Sequence, residues 1–163
     1  MAEAISNTSP LFYLHQIGAL NWLPRLFSDV WIPTSVVQEL AVGRAQGCAV
    51  PEPTGCSWIR IVEPQRLPSQ WLALDLGPGE LSALALALEN PHRIVLLDDG
   101  LARRIGQSAG LTVWGTLRVL LEGKKLGLAS AIGPLVGKLE NSGMWLSADL
   151  RRRILALAGE TLQ

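Results

Sequence analysis

The run Ile94-Val95-Leu96-Leu97, closed abruptly by Asp98-Asp99-Gly100, constrains the fold of this chain more than any other stretch. Consecutive apolar residues leave no polar face for solvent, so a strand built from them has to be covered on both sides. That is the situation of an inner strand in a parallel sheet, where crossover helices coat each face. Similar short Val- and Ile-rich runs alternate along the chain with longer stretches of helical period, the pattern of βαβ units. A first strand is expected at residues 4–6, ending at Asn7-Thr8-Ser9-Pro10, where Thr or Ser can cap a helix and Pro suits its first turn. Leu11, Leu14, Ile17 and Leu20 follow at helical spacing. A second strand, 29–32, passes through Pro33-Thr34-Ser35 into a helix at 36–42.

Beyond a loop at 43–55, the sequence predicts a strand at 58–62 and a short helix around Trp71. Glu80 opens an alanine-rich helix at 81–89 that suits a buried position. After the strand at 94–97 come a helix at 101–109, a strand at 111–113, the turn Gly115-Thr116 and a helix at 117–126. Helices at 131–141 and 147–158 read as flanking cover, and no repeat or linker divides the chain. With 163 residues, 48% of them apolar and 17% charged, one α/β domain can bury a continuous core.

Several functional classes are disfavoured by what the chain carries. Cys48 and Cys56 lie far in sequence from His15 and His92, which is no zinc spacing, and both cysteines are expected as free thiols. No apolar run reaches the ~18 residues of a membrane span, and Met1 to Pro10 holds Glu3 and no basic segment, so the cytoplasm is the expected location. Residues 115–124 lack phosphate-loop spacing, and no Gly-rich dinucleotide loop follows the first strand. The formal charge is zero, so nucleic acid would have to be held by a local patch. One is present on paper: Arg93, Arg103, Arg104, Arg118, Lys124 and Lys125 against Asp98, Asp99 and Glu122.

Ligands of parallel sheets bind at the carboxyl ends of the strands. Asn7 with Thr8 and Ser9, Asp98 with Asp99, and Gly115 with Thr116 leave the expected strands at those points, and Glu39 and Glu80 lie near the starts of helices. Carboxylates gathered in one cleft raise one another's pKa unless a cation compensates. Hard oxygen donors favour Mg²⁺ or Mn²⁺, ions suited to phosphodiester hydrolysis. Each acid also has a local reading: Glu39 as a solvated helix residue, Glu80 as a first-turn acid, Asp98 or Asp99 as an N-cap.

Taken together, Asn7-Thr8-Ser9-Pro10-Leu11, the stretch 32–40 ending in Gln38-Glu39-Leu40, Gly79-Glu80-Leu81, Leu97-Asp98-Asp99-Gly100 and Gly115-Thr116-Leu117 resemble a PIN-domain branch described as nucleic-acid-binding. The resemblance covers nearly the whole chain, 1–163, with a helical C-terminal extension from about 127. It implies a three-layer α/β/α sandwich with a central, mainly parallel sheet, and metal-dependent cleavage of single-stranded RNA. It further implies a toxin-type role with a small antitoxin protein as partner, and a homodimer. On this resemblance Glu39, Glu80 and Asp99 are the catalytic acids; with Asp98 and Asn7 they hold Mg²⁺ or Mn²⁺, while Thr8, Ser9, Thr116 and Arg103 meet the substrate. The departure is Asn7, where the family places Asp: an amide oxygen can still ligate a hard cation but brings no charge. Trp22, Trp31, Trp58 and Trp114 read as core, Trp71 and Trp145 as surface or partner contacts, and Arg151-Arg152-Arg153 as solvent-facing.

Overall fold

The computed structural model describes residues 1–72 and 74–160. Five strands form one sheet: β1 (Ala2–Ser6), β2 (Phe27–Ile32), β3 (Ile59–Ile61), β4 (Ile94–Leu96) and β5 (Val113–Trp114). Their order is β3-β2-β1-β4-β5, and every neighbouring pair is parallel. The apolar run at Ile94 thus lies inside the sheet, between β1 and β5, as its lack of a polar face requires. The helices are α1 (Thr8–Gln16), α2 (Leu23–Leu26), α3 (Thr34–Ala45), α4 (Pro78–Glu89), α5 (Gly100–Ser108), α6 (Thr116–Lys125), α7 (Gly133–Asn141) and α8 (Ala148–Leu157).

Side chains alternate across a strand, and here the alternation sorts residues into two cores. Ala4, Val30, Ile32 and Leu96 point to one side, into a core completed by Leu11 and Leu14 of α1, Leu40 of α3 and Leu120 of α6, together with apolar residues of α7 and α8. Their neighbours Ile5, Val95 and Leu97 point to the other, against Ala83, Leu84 and Ala87 of α4 and Ala102 of α5. Helices therefore cover both faces of an all-parallel sheet, the expected three-layer α/β/α sandwich. The stretch from Ala83 to Ala87 is wholly buried, which is why a helix so poor in polar residues is tolerated there.

Differences from expectation have local causes. β2 begins at Phe27, two residues early, because exposed Ser28 breaks the apolar run without breaking the ladder. α3 continues to Ala45, through residues expected as loop, and ends only before Gly47 with its φ of 87°. β5 is displaced from 111–113 to Val113–Trp114, since the amide of Leu111 donates to Gly106 O at 3.0 Å and so closes α5 instead of starting a strand. The four-residue α2, carrying Pro24 in its first turn, was not anticipated. Trp71, expected at the surface, is buried in the second core at the end of a 3₁₀ turn, Ser69–Trp71.

Arg93 is another correction: expected in a basic surface patch, it is 2% exposed. Its guanidinium bonds Glu3 at 2.6 Å, Asp29 at 2.8 Å and the carbonyl of Ala4 at 3.1 Å, and lies 3.4 Å from the centre of the Trp31 ring. Buried charge is tolerated only with such pairing, and this one ties β1, β2 and the start of β4 together at the amino end of the sheet. Glu160, after α8, is held similarly, accepting hydrogen bonds from Ile132 N, Gly133 N and Lys124 Nζ at 2.8, 2.9 and 2.9 Å. Arg151 is half-buried and paired with Glu140, whereas Arg152 and Arg153 face solvent beside Asp149.

Candidate active site

The ends of β1, β4 and β5 are level, because Ser6 pairs with Leu96 and Leu96 with Trp114. Asn7, Asp98 and Gly115 consequently leave the sheet side by side, at the point where the chain turns from β1 toward β2 on one hand and β4 on the other. Asn7 occupies the N-cap position of α1 yet makes no capping hydrogen bond. An Asn there ordinarily bonds a first-turn amide; here Oδ1 is buried and has no hydrogen-bond partner. Gly79, in the first turn of α4, explains the space around it: a Cβ added there would stand 2.8 Å from Asn7 Oδ1 and collide with Glu39 Oε1. Glu39 is fixed at both oxygens, Oε1 accepting from Thr8 Oγ1 and Oε2 from the Gly79 amide at 3.0 Å.

Glu80 stands next along α4, with Oε2 accepting from the Gly77 amide at 3.2 Å. Its pKa is raised, first by burial, then by the carboxylates of Asp99, Glu39 and Asp75, while the Gly77 bond opposes the rise. Asp99 caps α5, its Oδ2 accepting from Ala102 N at 2.9 Å. Asp98 is held differently, by Thr116, whose amide donates to Oδ1 at 2.8 Å and whose hydroxyl donates to Oδ2 at 2.7 Å. Burial raises the Asp98 pKa, and those two bonds and nearby Arg103 only partly offset it. The capping roles of Glu80 and Asp99 are therefore real, and the acids are also neighbours: Asn7 and Glu39 meet at Gly79, while Asp99 and Glu39 lie near enough to Glu80 to raise its pKa.

The sequence matches a family model, DUF3368: PIN domain, over residues 3–160. The chain belongs to the PIN-domain family. No curated protein matches the chain with significance.

A divalent ion is the group this family implies, and the donors of this PIN domain suit one. They are oxygens throughout; one is a buried amide oxygen with no partner, and the pKa of Glu80 is raised first by burial and then by the acids around it. Among the described residues, no three His, Cys, Asp or Glu side chains form a ready-made cage. Mg²⁺ does not need one, since it retains several waters and takes one or two carboxylates with the rest from substrate phosphate.

A groove of about 720 Å³ is lined in part by Ser9, Glu80, Asp98, Asp99 and Arg103, while Asn7 and Glu39 lie outside its lining. Of the four residues expected to meet substrate, Ser9 and Arg103 face it, whereas Thr8 and Thr116 commit their hydroxyls to Glu39 and Asp98. Arg103 is steadied by donating to Leu97 O at 3.1 Å. Much of the expected basic patch is internally paired: Arg118 and Lys125 with Glu122, Lys124 with Glu160, Arg93 with Glu3 and Asp29. Sequence reasoning read Gly79 only as part of the stretch around Glu80 and Arg118 only as one of the basic patch; it missed Tyr13, which lines the groove and whose pKa burial and then Asp98 raise, because nothing local marks it. Among the described residues no helix is long and apolar enough to cross a membrane.

Proposed function

We propose that this PIN domain is a metal-dependent endoribonuclease acting on single-stranded RNA. The reading is supported above all by the buried, unpartnered Oδ1 of Asn7, set beside Glu39 at the β1/β4 switch point. Asn7, Glu39, Glu80 and Asp99 would hold the ion, which when bound supplies an activated water and neutralises charge on phosphate. The protein's own groups prepare the site. Thr8 and the Gly79 amide hold the Glu39 carboxylate in a single orientation, and Asp98 orders the start of α6 through Thr116. Arg103 reaches the groove as a guanidinium donor for a phosphate oxygen, anchored at Leu97 O.

The test is cleavage of a panel of single-stranded RNAs with Mg²⁺ or Mn²⁺, with Glu80→Gln as control. Turnover that needs the ion and disappears in the Gln variant supports the enzyme. A second reading is favoured by the neutral Asn7: a PIN domain with weakened catalysis that binds RNA or a protein partner. RNA left intact by the natural chain but cut by an Asn7→Asp variant selects it. The toxin role, a small antitoxin protein and a homodimer belong to the first reading. Light scattering on the purified protein, alone and with the product of any adjacent small gene, tests them.

A further inference from the structure

We propose that Trp145 is a stacking platform for a base of the single strand whose backbone crosses the acidic end of the groove, an inference that rests on reading this groove as a nucleic-acid site. Trp145 is 83% exposed, while every other tryptophan packs against one of the two cores. It lines the same groove as Glu80 and Asp99, on the wall supplied by the connection between α7 and α8.

That connection is built to present the ring. Gly143, at φ 105°, turns the chain out of α7, and the Met144 amide returns to Leu139 O at 3.0 Å. Met144 packs on the core and Leu146 is buried in it, so the indole between them is directed outward from two anchors. Ser147 then caps α8 by accepting from Leu150 N at 3.1 Å. With the backbone anchored on both sides of the ring, only the side-chain torsions of Trp145 have to be ordered when a base settles on it.

Size and charge decide the occupant. A metal ion and one phosphate do not fill about 720 Å³, a volume within the ~300–1,000 Å³ range of sites for molecules of nucleotide size and above. The groove walls also carry Arg103, which makes no ion pair among the described residues, and Arg118, paired with Glu122. An apolar helix of a protein partner would bury the Arg103 charge without pairing it. A single strand presents flat apolar bases and phosphates in alternation, and so suits a groove that holds an exposed indole, the Arg103 guanidinium and a cation-seeking cluster.

The probe is a fluorescent RNA decamer, bound in EDTA so that no cleavage intervenes, with Trp145→Ala, Trp145→Phe and a decamer of abasic nucleotides. At this exposed position neither variant is expected to shift Tm. Expected are a loss of affinity of about ten-fold or more in the Ala variant, substantial recovery in the Phe variant, and on the natural protein a comparable loss with the abasic strand. The two losses should not add, because both remove the same contact. Equal affinity of natural and Ala proteins, equal affinity for normal and abasic strands, or no binding at all overturns the platform. Adding Mn²⁺ separates the two ideas: Trp145-dependent binding without cleavage keeps the platform and sinks the nuclease, while cleavage with no Trp145 dependence does the reverse.

Discussion

Asn7 presents a buried oxygen with nothing bound to it, and an Asp at that position sets a second carboxylate beside Glu39. In EDTA the Asn7→Asp variant should therefore lose about 1–2 kcal/mol through like-charge repulsion. With Mn²⁺ at ~100 times its dissociation constant it should recover roughly 2.7 kcal/mol. Thermal melts across a Mn²⁺ titration check this, and a variant indifferent to both conditions refutes a cation-sized space there. Gly79→Ala acts on the same space from the other side. Its methyl has to displace Glu39 or Asn7, so a drop in stability of about 1–3 kcal/mol should come with loss of the Mn²⁺-dependent rise in Tm, measured on the same melts. At this scale the sequence disclosed residue types and their order, because polar residues after strands stand out. The local caps were legible, Asp99 as an N-cap and Glu80 as a first-turn acid, but the sequence did not disclose that Thr8 serves Glu39 or that Asn7 declines its cap, since these depend on groups distant in the chain.

Among the elements, helix and strand identities were legible wherever the hydrophobic period was sustained, and their limits were lost where a long-range bond set them. α7 is an example. Its first amide, Gly133 N, and the preceding Ile132 N donate to Glu160, which lies beyond α8. A local reading of residues 131–141 could not see that cap. Burial works against ionisation of Glu160, but the Ile132, Lys124 and Gly133 partners prevail and hold its pKa below the ordinary 4.5. The folded state thus favours the carboxylate: its stabilisation is complete above pH 4.5 and fades as pH falls through the lowered folded value. Glu160→Gln should cost about 1–2 kcal/mol at neutral pH, and the gap to the natural protein should close in acid. Denaturant unfolding of both proteins from pH 7 downward measures it; a gap that is constant with pH means that shape, not charge, sets the cap.

For the whole molecule, equal numbers of acidic and basic residues leave no long-range attraction for a polyanion, and the structure deepens that neutrality. Of the six basic side chains clustered between 93 and 125, Arg93 is buried against Glu3 and Asp29, and Arg118, Lys124 and Lys125 are paired with Glu122 or Glu160. Arg103 and Arg104 make no ion pair among the described residues. If those two meet phosphates, and each contact to a single strand releases ~0.7 counterion, log affinity should fall with log salt at a slope of about −1.4. Anisotropy of a labelled RNA in EDTA, titrated between about 50 and 300 mM KCl, gives the slope directly. A value near −4 or steeper would mean that the Glu122 and Glu160 pairs open to release their cations, or that another face binds. A shallow slope carries a consequence for the site, since affinity so weakly electrostatic has to come from base stacking and from an ion shared between carboxylates and phosphate. Both of those contributions depend on the groove keeping its shape, and that shape is set where β1, β4 and β5 end level with one another.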